Sequence, residues 1–345
     1  MDLRQALEVI TCTDPGMVRT NNEDSIAADA ANGLVVLADG MGGYNAGEVA
    51  SGMATTLIAT EIAQILQNVR PYDVVAGSNK VVAESLLLSQ PVAAPVHADP
   101  ATGNRYLRVR AQPGPLKVAY IASVELLHHR ADPPQLAEVP VADLPASVLS
   151  YLYPSRYCQS DRLIKLAIDE FGHLRPGHSR VQAIMQWVQQ RVTFASNTSN
   201  SNTSAVDTLI ERVGVCRDFA HLMIALCRAV NIPARFATGT DYGADPALGP
   251  PDFHAYVEVY VGGRWFIFDP SCTAIPMGLV RLGTGRDAAD VAFATIFGSV
   301  QSQPPLIRAW AVEDATRGQV LPQHGPDALS TDSGATEPCR ADAQA

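Results

Sequence analysis

The chain has 345 residues, a formal net charge of −10 and a sequence pI near 5.2; 47% of it is hydrophobic and 17% charged. That leaves ample apolar material for sizeable cores, with two domains as the expectation from length, and the acidity argues against nucleic acid or an anionic membrane as the main partner. No run of 18 apolar residues exists to cross a bilayer, and the first residues lack a cationic stretch followed by an apolar one, so neither a membrane span nor secretion is expected. Cys12, Cys158, Cys216, Cys227, Cys272 and Cys339 show no CxxC or metal-type pairing. They suit a reducing compartment, and the expected location is the cytoplasm.

Residues 1–67 read as strand, acidic turn, strand, Gly-rich loop and helix. Leu34 to Ala38 is a continuous apolar run of buried-strand type, with Asp39 at its end and a helix from about Ala46 to Leu66. In TDPGMVRTNNEDS and VLADGMGGYNAGEVAS this segment resembles the start of the PPM (type 2C) metal-dependent protein serine/threonine phosphatases. The resemblance implies that Arg19 binds phosphate and that Glu23 and Asp24 belong to an acidic cluster. It also implies that Asp24, Asp39 and the Gly40 carbonyl hold Mg or Mn, hard ions that take oxygen ligands and activate a water. That family's double-sheet sandwich and its later SDG and DN motifs have no counterpart here, so the site is incomplete.

Residues 68–80, rich in turn formers, read as a junction. From Val81 to about Leu127 short apolar runs alternate with turn signals, including Asp99 to Asn104, and predict a small antiparallel β region spanning 81–145. His128 and His129 are adjacent on a strand, point to opposite faces and are not a chelating pair. Pro133, Pro134, Pro140 and Pro145 make a rigid connector. Helices are expected near 143–153, over 160–171 and over 177–192. The polar run SNTSNSNTS (196–204) is expected to be a mobile loop.

The next stretch carries the chemistry. Gly214 breaks structure just before Cys216, and Phe219, Leu222, Met223, Leu226 and Val230 recur at helical spacing until Asn231-Ile232-Pro233 stops the helix. A Cys in the first turn of a helix feels unpaired N–H groups and the positive end of the dipole, both of which favour thiolate. Two strand-like runs joined by Gly262-Gly263 follow. His254 opens the first and Asp269 closes the second, so an antiparallel pair makes them neighbours. Thiol, imidazole and carboxylate are the parts of a cysteine nucleophile site. His221, five residues after Cys216, points well away around the helix and is a poor base for it.

GVCRDFAHL, the Cys–His–Asp order and GGRWFIFDPS resemble the bacterial transglutaminase-like superfamily of cysteine-protease-type proteins, as do SRYCQSDRL, FGHLRPGHSRVQAIMQWV and GRDAADVAFATIFG. The resemblance spans roughly 81–312. It implies that a β domain precedes the catalytic core; here its first strands are missing, and the strands of 1–67 are expected to fill part of the gap.

The expected fold is therefore α+β. It comprises a phosphatase-like fragment over 1–67, the junction, the β region over 81–145, a papain-like, transglutaminase-like core over 146–312 and a disordered tail over 313–345. The expected function is thiol-dependent amide hydrolysis or acyl transfer on a peptide or protein. Cys216 is the nucleophile, His254 the base and Asp269 its orienter, and no cofactor is needed for that chemistry. The alternatives are a metal-dependent phosphatase acting through 1–67, or a non-catalytic interaction module that keeps the fold.

Overall fold

The computed structural model describes residues 25–29, 34–38, 78–242, 252–310 and 321–332. The chain divides into two compact units. One holds Met1–Asp73, Val81–Gln90 and Gly114–Val124; the other holds Val74–Lys80, Pro91–Pro113 and Glu125–Ala345. The region expected as one β domain over 81–145 is shared between them.

In the first unit, β1 (Ser25–Asp29) pairs antiparallel with β2 (Leu34–Ala38). The other ladder runs between β3 (Ser78–Leu88) and β6 (Val118–Leu127), whose end residues belong to the second unit. Among the described residues β1 and β2 pair only with each other; the other strands expected over 1–67 lie outside the described residues. Val118, Tyr120 and Ile121 stay exposed.

The second unit contains β4 (Val96–Ala98), β5 (Arg105–Leu107), β7 (His129–Ala131), α1 (Ala146–Leu149), α2 (Ser160–Phe171), α3 (His178–Arg191) and β8 (Thr193–Phe194). After these come α4 (Ala205–Glu211), β9 (Val213–Gly214), α5 (Cys216–Ala229), β10 (Ala234–Asp241), β11 (Phe253–Val261), β12 (Arg264–Phe268), β13 (Leu279–Gly285) and β14 (Ala328–Ser330). A four-stranded antiparallel sheet in the order β12-β11-β10-β13 is its frame. The helix expected near 143–153 is broken into α1 flanked by 3₁₀ turns.

Helix α5 is central. Its sequence suggests an apolar stripe, yet Ala220, Leu222, Met223, Ile224, Ala225, Leu226 and Cys227 are all fully buried. The helix lies among α2, α3, α4, β10 and β11, so even its nominal back face is covered. Burying each large apolar side chain contributes roughly 1.5–3 kcal/mol. It ends where Asn231 takes a left-handed conformation (φ 63°), with Ile232 N–H donating to Cys227 C=O and Asn231 N–H to Arg228 C=O. These two bonds are the Schellman arrangement that satisfies the last carbonyls. Gly262 and Gly263 both have positive φ, as a two-residue hairpin turn of type I′ requires.

Two expectations about polar segments are corrected. The 196–204 loop is fastened: Ser199 Oγ donates to Asp218 (2.8 Å), Tyr157 OH to Ser201 C=O (2.8 Å) and Thr198 Oγ1 to Ala195 C=O (2.7 Å). The expected disordered tail is ordered over 321–332. There β14 pairs with β7, and Ser330 and Thr331 are buried. Arg264 reaches the Asp332 carbonyl and Arg281 the Thr331 carbonyl. Arg281 also belongs to a polar cluster centred on Glu258, 1% exposed, which accepts from Arg235 (2.7 Å) and Arg281 (2.9 Å).

Candidate active site

Cys216 is the first residue of α5, and its half-exposed thiol sits where the first-turn N–H groups have no intrahelical partner. The entry to that helix is held by Asp218, fully buried, whose Oδ2 accepts from Val215 N–H (2.9 Å). Its Oδ1 accepts from Ser199 and lies 3.4 Å from Arg217. This fold-back explains Gly214, where a Cβ would come within 2.7 Å of the Asp218 Cβ. The short parallel pair β8–β9 leads the chain into the turn.

His254, 7% exposed, lies near the start of β11. Asp269, 4% exposed, follows β12 directly. Val257 pairs with Phe268, so the register brings His254 and Asp269 diagonally together. His254 Nε2 stands 3.3 Å from Asp269 Oδ1, an ion-pair contact longer than a good hydrogen bond, as is common for catalytic groups without substrate. Asp269 is itself fixed. Its Oδ1 accepts from the Ser271 N–H (3.0 Å) and Oγ–H (2.7 Å), and its Oδ2 from the Ala274 N–H (3.0 Å).

Electrostatics favour a charged imidazole. Burial works against it, but the interactions with Asp269 and then with Cys216 outweigh burial and raise His254 to about 10. Burial likewise pushes Asp269 up, yet the interaction with His254, with hydrogen bonds from Ser271 and Ala274, holds it below the ordinary carboxylate value. The structure thus sets His254 Nε2 toward the Asp269 carboxylate, and Cys216 contributes to the field that favours the charged imidazole.

The other predicted residues fall elsewhere. Asp24, Asp39 and Gly40, with Arg19 and Glu23, lie outside the described residues. Among the described residues no three His, Cys, Asp or Glu side chains converge as a metal site, and no helix is long and apolar enough to cross a membrane. His221 is fully buried, stacked on Tyr157 (5.0 Å between ring centres), and accepts from Ala288 N–H. Burial, then Arg217 and Arg228, keep it neutral. Cys227 and Cys158 are buried thiols pushed up by desolvation, Cys158 to about 12.

Two neighbours escaped sequence reasoning. Gln189 on α3 donates to the Asp269 carbonyl (3.4 Å) and lies 2.8 Å from Cys272 Sγ. Asp241, the last residue of β10, is 8% exposed. Burial raises its acid value, His254 lowers it and Asp269 raises it again, so it shares the field of the site. An Asp at a strand end reads as a turn former, and only the strand pairing places it beside His254.

Residues 168–270, which contain Cys216, His254 and Asp269, match the family model of the transglutaminase-like superfamily. A solved structure from Cytophaga hutchinsonii, described as a candidate cysteine protease, is 40% identical with a TM-score of 0.67; the match covers 75% of this chain and 89% of that one. An uncharacterised protein from Mycobacterium leprae is 32% identical over 117 residues, 32% of this chain and 42% of that protein. The chain thus spans less than half of that curated relative. The amino-terminal end is similar to the serine/threonine protein phosphatase PstP from Mycobacterium tuberculosis, 55% identical over 47 residues, 14% of this chain and 9% of that protein.

Proposed function

Because the chain belongs to the transglutaminase-like superfamily, whose fold goes with thiol hydrolases and transferases in general, we propose that it is a cysteine amidase or acyl transferase acting on a peptide or protein. The observation that carries this reading is a half-exposed Cys216 at a helix start, interacting with a buried His254 that is in turn 3.3 Å from Asp269.

Cys216, as thiolate beside imidazolium, attacks an amide carbonyl carbon. The oxygen takes the negative charge, facing the Cys216 N–H at the helix start. The C–N bond breaks as His254 gives its proton to the leaving amine, which leaves an acyl-thioester. His254 then takes a proton from water or a second amine as that nucleophile attacks. The C–S bond breaks and the thiolate–imidazolium pair returns. Asp269 holds the ring in place and offsets its charge. Hydrolysis and transamidation share this intermediate, and neither needs a cofactor.

Burst kinetics with an activated ester test the reading. Excess p-nitrophenyl acetate should release one equivalent of nitrophenol quickly, with an acetyl group on the Cys216 peptide, and Cys216→Ala should show neither. A burst that survives Cys216→Ala would refute the proposal.

A further inference from the structure

Among the described residues of the second unit, five acidic side chains are buried: Asp218, Asp241, Glu258, Asp269 and Asp287. Four are answered. Asp218 and Asp269 are bonded as described, Glu258 takes two arginines, and Asp287 accepts from Tyr157 N–H (2.8 Å) and Ala289 N–H (2.9 Å). Asp241 is different: among the described residues its Oδ2 is the one buried carboxylate oxygen with no hydrogen-bond partner. Buried charges are ordinarily paired, and an orphan calls for a reason.

Its place supplies one. Gly239 pairs with His254 across β10 and β11, and Asp241 lies two residues further on the same face of the strand. Diagonal positions of this kind are about 7–8 Å apart. Gly239 puts no side chain between them, and it cannot carry one, since a Cβ would meet the Val280 carbonyl oxygen at 2.2 Å. The charges that act on Asp241 are the His254 imidazole and the Asp269 carboxylate. With the thiolate formed, three negative groups share one imidazolium.

We infer that Asp241 is a substrate-reading carboxylate: it receives a positively charged amino group of an amide bound beside His254. This inference rests on the proposed thiol chemistry and adds a substrate class to it, amides that carry a cationic amino group. The cation completes a charge pair that the described residues leave open.

The test uses three methanethiosulfonates of different charge on the intact protein: 2-aminoethyl (cationic), its neutral isostere propyl, and 2-sulfonatoethyl (anionic). Their rates at Cys216 are followed by peptide mass spectrometry at low salt. In the wild type the cationic reagent should outpace the anionic one, and Asp241→Asn should cut that ratio by at least about tenfold, because one charge several ångströms away at protein-like permittivity acts in opposite senses on the two reagents. An unchanged ratio in Asp241→Asn overturns the inference. So does an equal slowing of all three reagents, which would mean that Asp241 acts through His254 and not on the ligand. Failure of the underlying thiol reading looks different: Cys216 would then be slow toward every reagent and indifferent to His254→Ala.

Discussion

At His254 two opposing effects set the charge. Burial disfavours the imidazolium, whereas Asp269 and Cys216 stabilise it, and the balance raises the group from 6.5 to about 10. A raised value means that the folded state holds its proton more tightly than the unfolded one. The associated stability is complete below the unfolded value of 6.5 and is lost as pH rises toward about 10. The loss of melting temperature in His254→Gln should therefore be largest in mildly acidic buffer and shrink in alkaline buffer; a loss that grows with pH would contradict this. Asp269→Asn should slow acylation by about 100-fold or more, because the imidazolium loses its counter-charge and its anchor. A tenfold or smaller change in the burst rate would demote Asp269. These three residues were legible because each marks the punctuated end of an element: Cys216 after Gly214, His254 opening a strand, Asp269 closing one. Asp241 and Gln189 were not, since their relation to the site exists only through strand register and helix packing.

Among the elements, α5 was legible in type and extent because an apolar period and a stop signal agreed. Its complete burial was not, since coverage depends on which helices fold over it. Leu222→Ala should cost about 2–5 kcal/mol in denaturant unfolding, as a large-to-small change in a site closed on all sides. Helix α4 was missed although its signature stands in the sequence. Ser204 and Asp207 form a capping box, with Ser204 N–H donating to Asp207 Oδ2 (2.9 Å) and Asp207 N–H to Ser204 Oγ (3.5 Å). The surrounding Ser/Asn/Thr run masked it. Ser204→Ala should lower stability by about 1 kcal/mol; no change would mean that the cap is idle. The turn at Asp99–Gly103 was read correctly. Asp99 accepts from Ala101 N–H and Thr102 Oγ, and just beyond it Asn104 exchanges two hydrogen bonds with Thr284.

For the molecule as a whole, composition misled at the carboxyl end. A polar, Pro- and Gly-containing stretch reads as disordered, but β14 is made by pairing with β7, and the segment's carbonyls answer Arg264 and Arg281. Non-local pairing of this sort leaves no local signature. The Glu258 cluster links β10, β11 and β13 beneath that segment. Burial pushes the Glu258 carboxyl up, but Arg235 and Arg281 outweigh it and hold the group below its ordinary value of 4.5. A depressed value contributes stability above 4.5 that is lost as pH falls through the folded value. Glu258→Gln should cost about 3–5 kcal/mol near neutral pH, because it removes the buried charge that two half-buried arginines share. It should also flatten the acid limb of the stability curve. Equal acid sensitivity in the variant and the wild type would argue against the cluster as a source of that limb.

The central claim, that Cys216 and His254 work as a thiolate–imidazolium pair, is tested most directly by the pH dependence of Cys216 alkylation with iodoacetamide. The adduct is located by peptide mass spectrometry in the wild type and in His254→Ala, with Cys272, exposed and free, as the internal reference thiol. Fast alkylation of Cys216 below neutral pH that disappears in His254→Ala is the expected result. A Cys216 profile that tracks Cys272 in both proteins would contradict it.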